Sequence, residues 1–124
     1  MKVKCVRLLD VDGREVGFSP WLTLGHIYHV MSIFIDKNER RSYGIINRHP
    51  EEEWPQMGSH QAECFEVVSN TMPSNWREWK NDTSSGVSPI AWQAPGFYEA
   101  FYDHDPATYP IFTQERDVIL REDP

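Results

Sequence analysis

Residues 21–47, WLTLGHIYHVMSIFIDKNERRSYGIIN, read as two β-strands joined by a charged turn, and the rest of the chain can be placed against that pair. Along residues 26–35, simple alternation puts Ile27, His29, Met31, Ile33 and Ile35 on one face and Tyr28, Val30, Ser32 and Phe34 on the other. β-Branched and aromatic residues dominate, as a half-buried pleated surface requires. A helix is disfavoured, because the apolar positions of 27–35 follow no 3.6-residue period and Thr23-Leu24-Gly25 supplies no N-cap. Asp36-Lys37-Asn38-Glu39-Arg40 provides a polar turn, after which residues 41–47 resume an apolar run. The pair is therefore expected to be a hairpin with a loop of about five residues.

The chain of 124 residues is expected to form one domain spanning 1–124, large enough to bury about two thirds of its unfolded surface. Its 25% charged and 40% hydrophobic residues suit a globular protein and argue against disorder. No apolar run approaches the ~20 residues needed to span a bilayer. The opening MKVKCVRLLDVDG has too short an apolar stretch for a signal-peptide core, so a cytoplasmic location is expected. In that compartment Cys5 and Cys64 are read as reduced thiols, and the Asn81-Asp82-Thr83 sequon as accidental. The net charge of −7 is unevenly shared, −2 over residues 1–70 and −5 over 71–124. Such an acidic surface disfavours nucleic acid and steers basic partners, although many soluble proteins are equally acidic.

Residues 2–9 alternate apolar and basic side chains and read as a first strand. Asp10-Val11-Asp12-Gly13 is a turn; its D-x-D-G spacing lacks the remaining oxygen ligands and the closing Glu of a calcium loop. Residues 10–25 form a long first loop. Residues 48–63, RHPEEEWPQMGSHQAE, are a loop by every local signal, and a structureless connection of that length is often functional. Within it Glu51, Glu52, Glu53 and Trp54 make an acidic-aromatic knuckle, unless Trp54 folds back over the core. Residues 64–68 are a short strand. This pattern predicts an α+β protein, mainly β, whose residues 1–70 build a Src-homology-3-like small barrel of about five strands.

Residues 71–124 are expected to be mainly helical or irregular and to pack on that barrel. Residues 73–80 read as extended or as a short helix, and 81–86 as a flexible tip. Phe97 with Phe101 and Tyr98 with Tyr102 stand at i,i+4, which gives a short helix two aromatic stripes. Asp105-Pro106 resembles a helix start, and Ile111, Phe112, Glu115, Val118 and Ile119 share one face of the helix that follows. Pro110 either kinks that helix or marks its first turn.

Catalytic chemistry finds little footing. On a strand, His26 and His29 would point to opposite faces and could not share a metal; Cys5 and Cys64 lack C-x-x-C partners. No G-x-S-x-G elbow and no Gly-rich phosphate loop is present. A nuclease built on His49, His60 or His104 would want basic phosphate-binding neighbours, and only Arg48 qualifies. The chain is thus expected to be neither an enzyme nor a holder of metals or cofactors. Surface recognition remains. Acids among aromatics suit a protein interface, with Glu51, Glu52, Glu53, Trp54, Glu99, Asp103 and Asp105 as candidate partner-binding residues, while Phe97, Phe101 and, after them, Tyr98 are expected in the core rather than the interface. An alternative is an adaptor module that reads a peptide or small ligand through an aromatic groove of Trp21, Trp54, Tyr28 and Tyr43.

The runs SPWLTLGHIYHV (19–30), YGII (43–46), FEVVS (65–69), PSNW (73–76), AWQAPGFYEAFYDHDP (91–106) and IFTQER (111–116) resemble a group of small bacterial orphan proteins. These are associated with toxin–immunity loci, including contact-dependent inhibition and related polymorphic toxins. The resemblance implies a cytosolic antidote, monomeric or weakly dimeric, that binds a toxin domain and covers its active site or substrate groove. The segment 50–58 departs from the shorter loop such proteins would have.

Overall fold

The computed structural model describes residues 1–46 and 55–124. Their elements, in chain order, are β1 (Lys2–Cys5), β2 (Ile27–Ile35), β3 (Arg41–Ile45), β4 (Gly58–Gln61), β5 (Phe65–Ser69), β6 (Trp76–Lys80), β7 (Ser85–Pro89), α1 (Phe97–Tyr102) and α2 (Tyr109–Glu122). Short 3-10 turns occupy Ala62–Cys64, Ile90–Gln93 and Pro106–Thr108. All strand pairs are antiparallel. They form one seven-stranded open sheet in which β4-β3-β2-β1-β5 run side by side and the β6–β7 hairpin joins β2 through β7. The sheet does not close: no pairing joins β4 to β5 among the described residues, so the closed barrel expected from the sequence is not what the strands build.

The nine-residue strand β2 is the hub because its two halves have different neighbours. Its first three residues pair with β1, its last three with β7, and Val30 to Ile35 lie along β3. Between Val30 and Ser32 the register slips: Val30 faces Ile45 while Ser32 faces Gly44, so Met31 is one residue too many. This bulge corrects the simple alternation read from the sequence. Before it the even residues Tyr28 and Val30 point to the core; after it the odd residues Met31, Ile33 and Ile35 do. Val30 and Met31 are consecutive and both fully buried, whereas Ile27 and Phe34 are left exposed. The predicted turn is present. Asp36 Oδ1 accepts from the backbone N–H of Asn38 (2.7 Å) and Arg40 (3.0 Å), and Glu39 takes the left-handed conformation.

Three segments differ from their sequence reading. β1 ends at Cys5 rather than Leu9, and Leu9 instead bridges to Glu15 within the first loop. The supposed loop 48–63 contains β4, whose four residues Gly-Ser-His-Gln carry no apolar signal; they become a strand because β3 offers an unpaired edge. The segment 71–124 is not merely helical or irregular: residues 76–80 are extended, and with 85–89 they make a hairpin. Its turn is held by Asn81 Oδ1, which accepts from the N–H of Thr83 (3.0 Å) and Ser84 (2.9 Å). Gly86 sits between Phe34 on one side and Trp79 on the other, and the two rings meet above it at 5.8 Å. Rings shielding a strand glycine in this way replace the packing it lacks.

The core lies between the sheet and the C-terminal segment. The indole of Trp92, on the turn after β7, is fully buried and stacks on Phe112 of α2 at 4.8 Å; Phe112 in turn stacks on Phe101 of α1 at 4.4 Å. Phe97 and Phe101 are the buried stripe of α1, while Tyr98 is half-buried and Tyr102 exposed, so the two expected stripes divide into core and rim. Pro110 lies in the first turn of α2 and kinks nothing; Asp105 caps the preceding 3-10 turn by accepting from Ala107 N–H at 3.0 Å. Phe112 and Ile119 carry the buried face of α2, but Ile111 is exposed.

The far end of α2 is pinned to the sheet. Register aligns Ser69, Lys2 and His29 across β5, β1 and β2. Asp123 lies over that row: its carboxylate accepts from Ser69 Oγ at 2.8 Å and its carbonyl from His29 Nε2 at 2.6 Å. Burial would push the Asp123 carboxyl upward, but the Ser69 hydroxyl, the α-amino group and Lys2 outweigh that and hold it below the usual range. On β5 a second bulge, where Lys2 faces Ser69 but Val3 faces Val67, turns both Val67 and Val68 to solvent, at 41% and 46% exposure.

Two glycines make close approaches that differ in kind. A Cβ on Gly86 would collide with the backbone carbonyl of Ile33 and the Trp79 ring, whereas one on Gly44 would meet the Ser32 hydroxyl, which can rotate away. Gly86→Ala is expected to destabilise the fold by about 1–3 kcal/mol in chemical denaturation. Gly44→Ala is expected to lower stability by clearly less, and equal losses at both positions would contradict this packing.

Candidate functional site

The long first loop is tied down at several points, and that is what gives its exposed side chains a fixed place. Asp10 Oδ1 accepts from the N–H of Asp12 (2.9 Å) and Arg14 (3.0 Å), closing the first turn. Ser19 Oγ accepts from Trp21 N–H (3.1 Å) and Leu22 N–H (3.2 Å), the Tyr28 hydroxyl accepts from Thr23 N–H at 2.9 Å, and Leu22 is buried as the loop's anchor. Gly25, with φ of +83°, reverses the chain so that its N–H reaches Cys5 carbonyl at 2.8 Å and β2 can begin. Between these fixings Phe18, Trp21 and Leu24 project to solvent at 77%, 50% and 56% exposure. Three large apolar side chains on one short, well-anchored loop form a surface feature that burial alone does not explain.

Trp21 is also a shared wall between two clefts. The smaller, about 450 Å³, lies between the first loop and β4 and is lined by Leu9, Ser19, Met57, His60 and Cys64 among others. The larger, about 680 Å³, runs from the loop across the start of β2 to α2, with Ile27, Tyr28, His26, His29, Arg116 and Leu120 on its sides. His26 and His29 both reach it, contrary to the opposite-face expectation, because His26 precedes the strand and its ring rests 5.5 Å from that of Tyr28.

The smaller cleft has chemically interesting side chains in quiescent states. Burial lowers the His60 pKa, and its Nε2 is enclosed with no hydrogen-bond partner among the described residues. Burial also pushes the thiols of Cys64 and Cys5 upward, so both are held as un-ionised SH groups. Among the described residues no three His, Cys, Asp or Glu side chains are grouped to hold a metal ion. The His49 and Arg48 considered for a nuclease lie outside the described residues.

Of the candidate partner-binding residues, Glu99, Asp103 and Asp105 are exposed on α1 and the turn after it. Tyr102, next to Asp103 in sequence, is tied toward the smaller cleft: its hydroxyl donates to the Met57 carbonyl at 3.0 Å, and none of the three acids lines the cleft itself. Asp105 has a structural duty as a cap. Glu51, Glu52, Glu53 and Trp54 lie outside the described residues. Of the aromatic groove, Trp21 and Tyr28 share the larger cleft, but Tyr43 is buried against Phe65 in the core and cannot line it. Sequence reading missed Phe18, Ile27, Arg116 and Leu120. The first two carry a local signal, apolar residues beside a Pro-Trp loop; the last two arrive only through the packing of α2.

No family model, curated protein or solved structure matches this chain. No helix of the described residues is long and apolar enough to cross a membrane.

Tyr98 reports on how firmly α1 is seated. Burial, with some help from neighbouring Tyr102 and against the Ser88 hydroxyl, raises its pKa to about 12, above the ordinary value of about 10. Below pH ~10 the stability this confers is fully present; between pH ~10 and ~12 the unfolded chain ionises while the folded one does not, and stability falls. Thermal unfolding at increasing pH should show this decline in the native protein and a shallower one in Tyr98→Phe. Phenolate absorbance that titrates fully near pH ~10 in the folded state would contradict the buried position of Tyr98.

Proposed function

We propose that this protein binds and neutralises a toxin domain made in the same cell, acting as an immunity protein that covers the toxin's active site or substrate groove. The observation that carries the reading is the anchored first loop with Phe18, Trp21 and Leu24 held outward, Trp21 forming a wall of two clefts. Large aromatic and aliphatic anchors on a pre-ordered surface lose little conformational entropy on docking, which is what a tight interface needs. The exposed acids Glu99, Asp103 and Asp105 and the net charge of −7 would draw in a basic partner such as a nuclease domain. The sequence resemblance to toxin–immunity proteins points the same way, and with it to a cytoplasmic, non-enzymatic role without cofactors. The strand order β5-β1-β2-β3-β4, with a 3-10 turn leading from β4 into β5, supports reading the framework as a Src-homology-3-like barrel left open, to which the β6–β7 hairpin has been added.

A second reading has one observation in its favour: Trp21 and Tyr28 both line the larger cleft, as aromatics do in a module that reads extended peptides. Weak binding to many proline-rich peptides would favour it, whereas one tight, dedicated partner favours immunity.

The test is binding and protection with the toxin domain encoded beside this gene. The native protein should bind it tightly, with association slowed by salt, and rescue cells that express it. Trp21→Ala should weaken the complex by about 2 kcal/mol or more, as removal of a central anchor does, while changing folding stability by only about 0.5 kcal/mol. Absence of binding, or binding indifferent to Trp21, Phe18 and Leu24, would overturn the proposal.

A further inference from the structure

The larger cleft has a chemical character at odds with the chain as a whole. The protein carries 19 acids against 12 Lys and Arg, yet the described residues lining this cleft include no carboxylate. They include instead Arg116, His26 and His29, set among the apolar surfaces of Trp21, Ile27 and Leu120.

Of the polar groups on its walls, Arg116 keeps donors that no other lining group takes up. Arg116 gives its Nε to Asp117 at 3.1 Å, an exposed neighbour on the solvent side of α2, and its two terminal nitrogens make no hydrogen bond among the described residues. A guanidinium fork with its outer nitrogens unengaged is suited to a carboxylate. His29 Nε2 faces a backbone carbonyl, that of Asp123 at 2.6 Å, and a carbonyl can only accept. That nitrogen therefore holds the hydrogen, which fixes the tautomer and the ring's orientation. On the opposite wall Trp21 and Ile27 are each about half exposed, an apolar surface with nothing yet upon it among the described residues. A volume of about 680 Å³ falls in the range that accommodates a few residues of an extended peptide.

We propose that the larger cleft receives an extended segment of a protein partner that carries an Asp or Glu side chain, its carboxylate on Arg116 and a flanking apolar side chain against Trp21 and Ile27. Charge complementarity selects this occupant: Arg116 spends only its Nε on Asp117, a carboxylate is the best acceptor for its two terminal nitrogens, and a basic segment would be repelled while a neutral one would pair with them less strongly. The inference rests on reading this face as a docking site and adds the chemistry of what docks.

The probes are two blocked tripeptides, acetyl-Leu-Glu-Leu-amide and its Gln counterpart, titrated into the full chain while the Trp21 indole and Arg116 side-chain resonances are followed. The Glu peptide is expected to shift both signals saturably and to bind about threefold more tightly than the Gln peptide, the advantage an exposed ion pair supplies. Arg116→Gln should erase that difference while leaving the unfolding midpoint unchanged, and the comparison of peptides on the native protein stands even if that variant fails to fold. Equal affinity for both peptides, shifts confined to residues outside the cleft, or no saturation would overturn the proposal. A toxin complex that is lost with Trp21→Ala but untouched by Arg116→Gln would also overturn it, while leaving the docking reading of the face in place.

Discussion

The extra residue in β2 is the constraint on which the rest of this structure depends. A strand with strict alternation presents one set of side chains to one core. By inserting Met31, β2 exchanges its inward set halfway along, so that Tyr28 and Val30 serve the β1 side and Met31, Ile33 and Ile35 the side shared with β3 and β7. One nine-residue strand can then bind together two portions of sheet that pack differently. The bulge residue Met31 and its predecessor Val30 are both completely enclosed. Ile27, apolar and yet exposed, follows from the same cause: it lies on the wrong side of the exchange and so becomes part of the larger cleft.

This explains which parts of the fold were legible in the sequence. The β2–β3 hairpin was, because its composition, its polar turn and its length all agree. The short helix with Phe97 and Phe101 inward was legible from the i,i+4 spacing. The bulge was not, since a run in which nearly every residue is apolar carries no mark of where the inward set changes. β4 was hidden for the opposite reason: Gly58-Ser59-His60-Gln61 contains nothing that prefers a strand, and only the unpaired edge of β3 makes it one. The β6–β7 hairpin was half visible, with Asn81 and its hydroxyl neighbours marking a turn while the charges of Arg77, Glu78 and Lys80 masked the strand before it. Those charges suit an edge strand facing water.

The candidate site divides in the same way. Trp21 and Tyr28 could be picked out as aromatics in or beside a loop, and the acids of α1 as exposed charges. Tyr43 had the same local appearance and is in the core, because β3 turns it toward Phe65. Arg116 and Leu120 lie 95 and 99 residues beyond Trp21 in sequence, and the seating of α2, by the aromatic stack of Trp92, Phe112 and Phe101 and by the pinning of its far end, brings them to the same cleft. Anything that loosens that stack is felt at the surface around Trp21. The surface around Trp21 and the core are therefore linked in this protein through one helix.

The bulge on β5 has a consequence for how the molecule behaves in company. An outermost strand with valines invites a neighbouring chain to add on in register and begin a fibre. Here the surplus residue at Val67–Val68 breaks the even spacing of amides and carbonyls, so an incoming strand loses step within a few residues. Greasy side chains at that margin are thus set in an edge poorly shaped to template a second copy. The loop around Trp21 carries the other anchored apolar surface, at Phe18, Trp21 and Leu24.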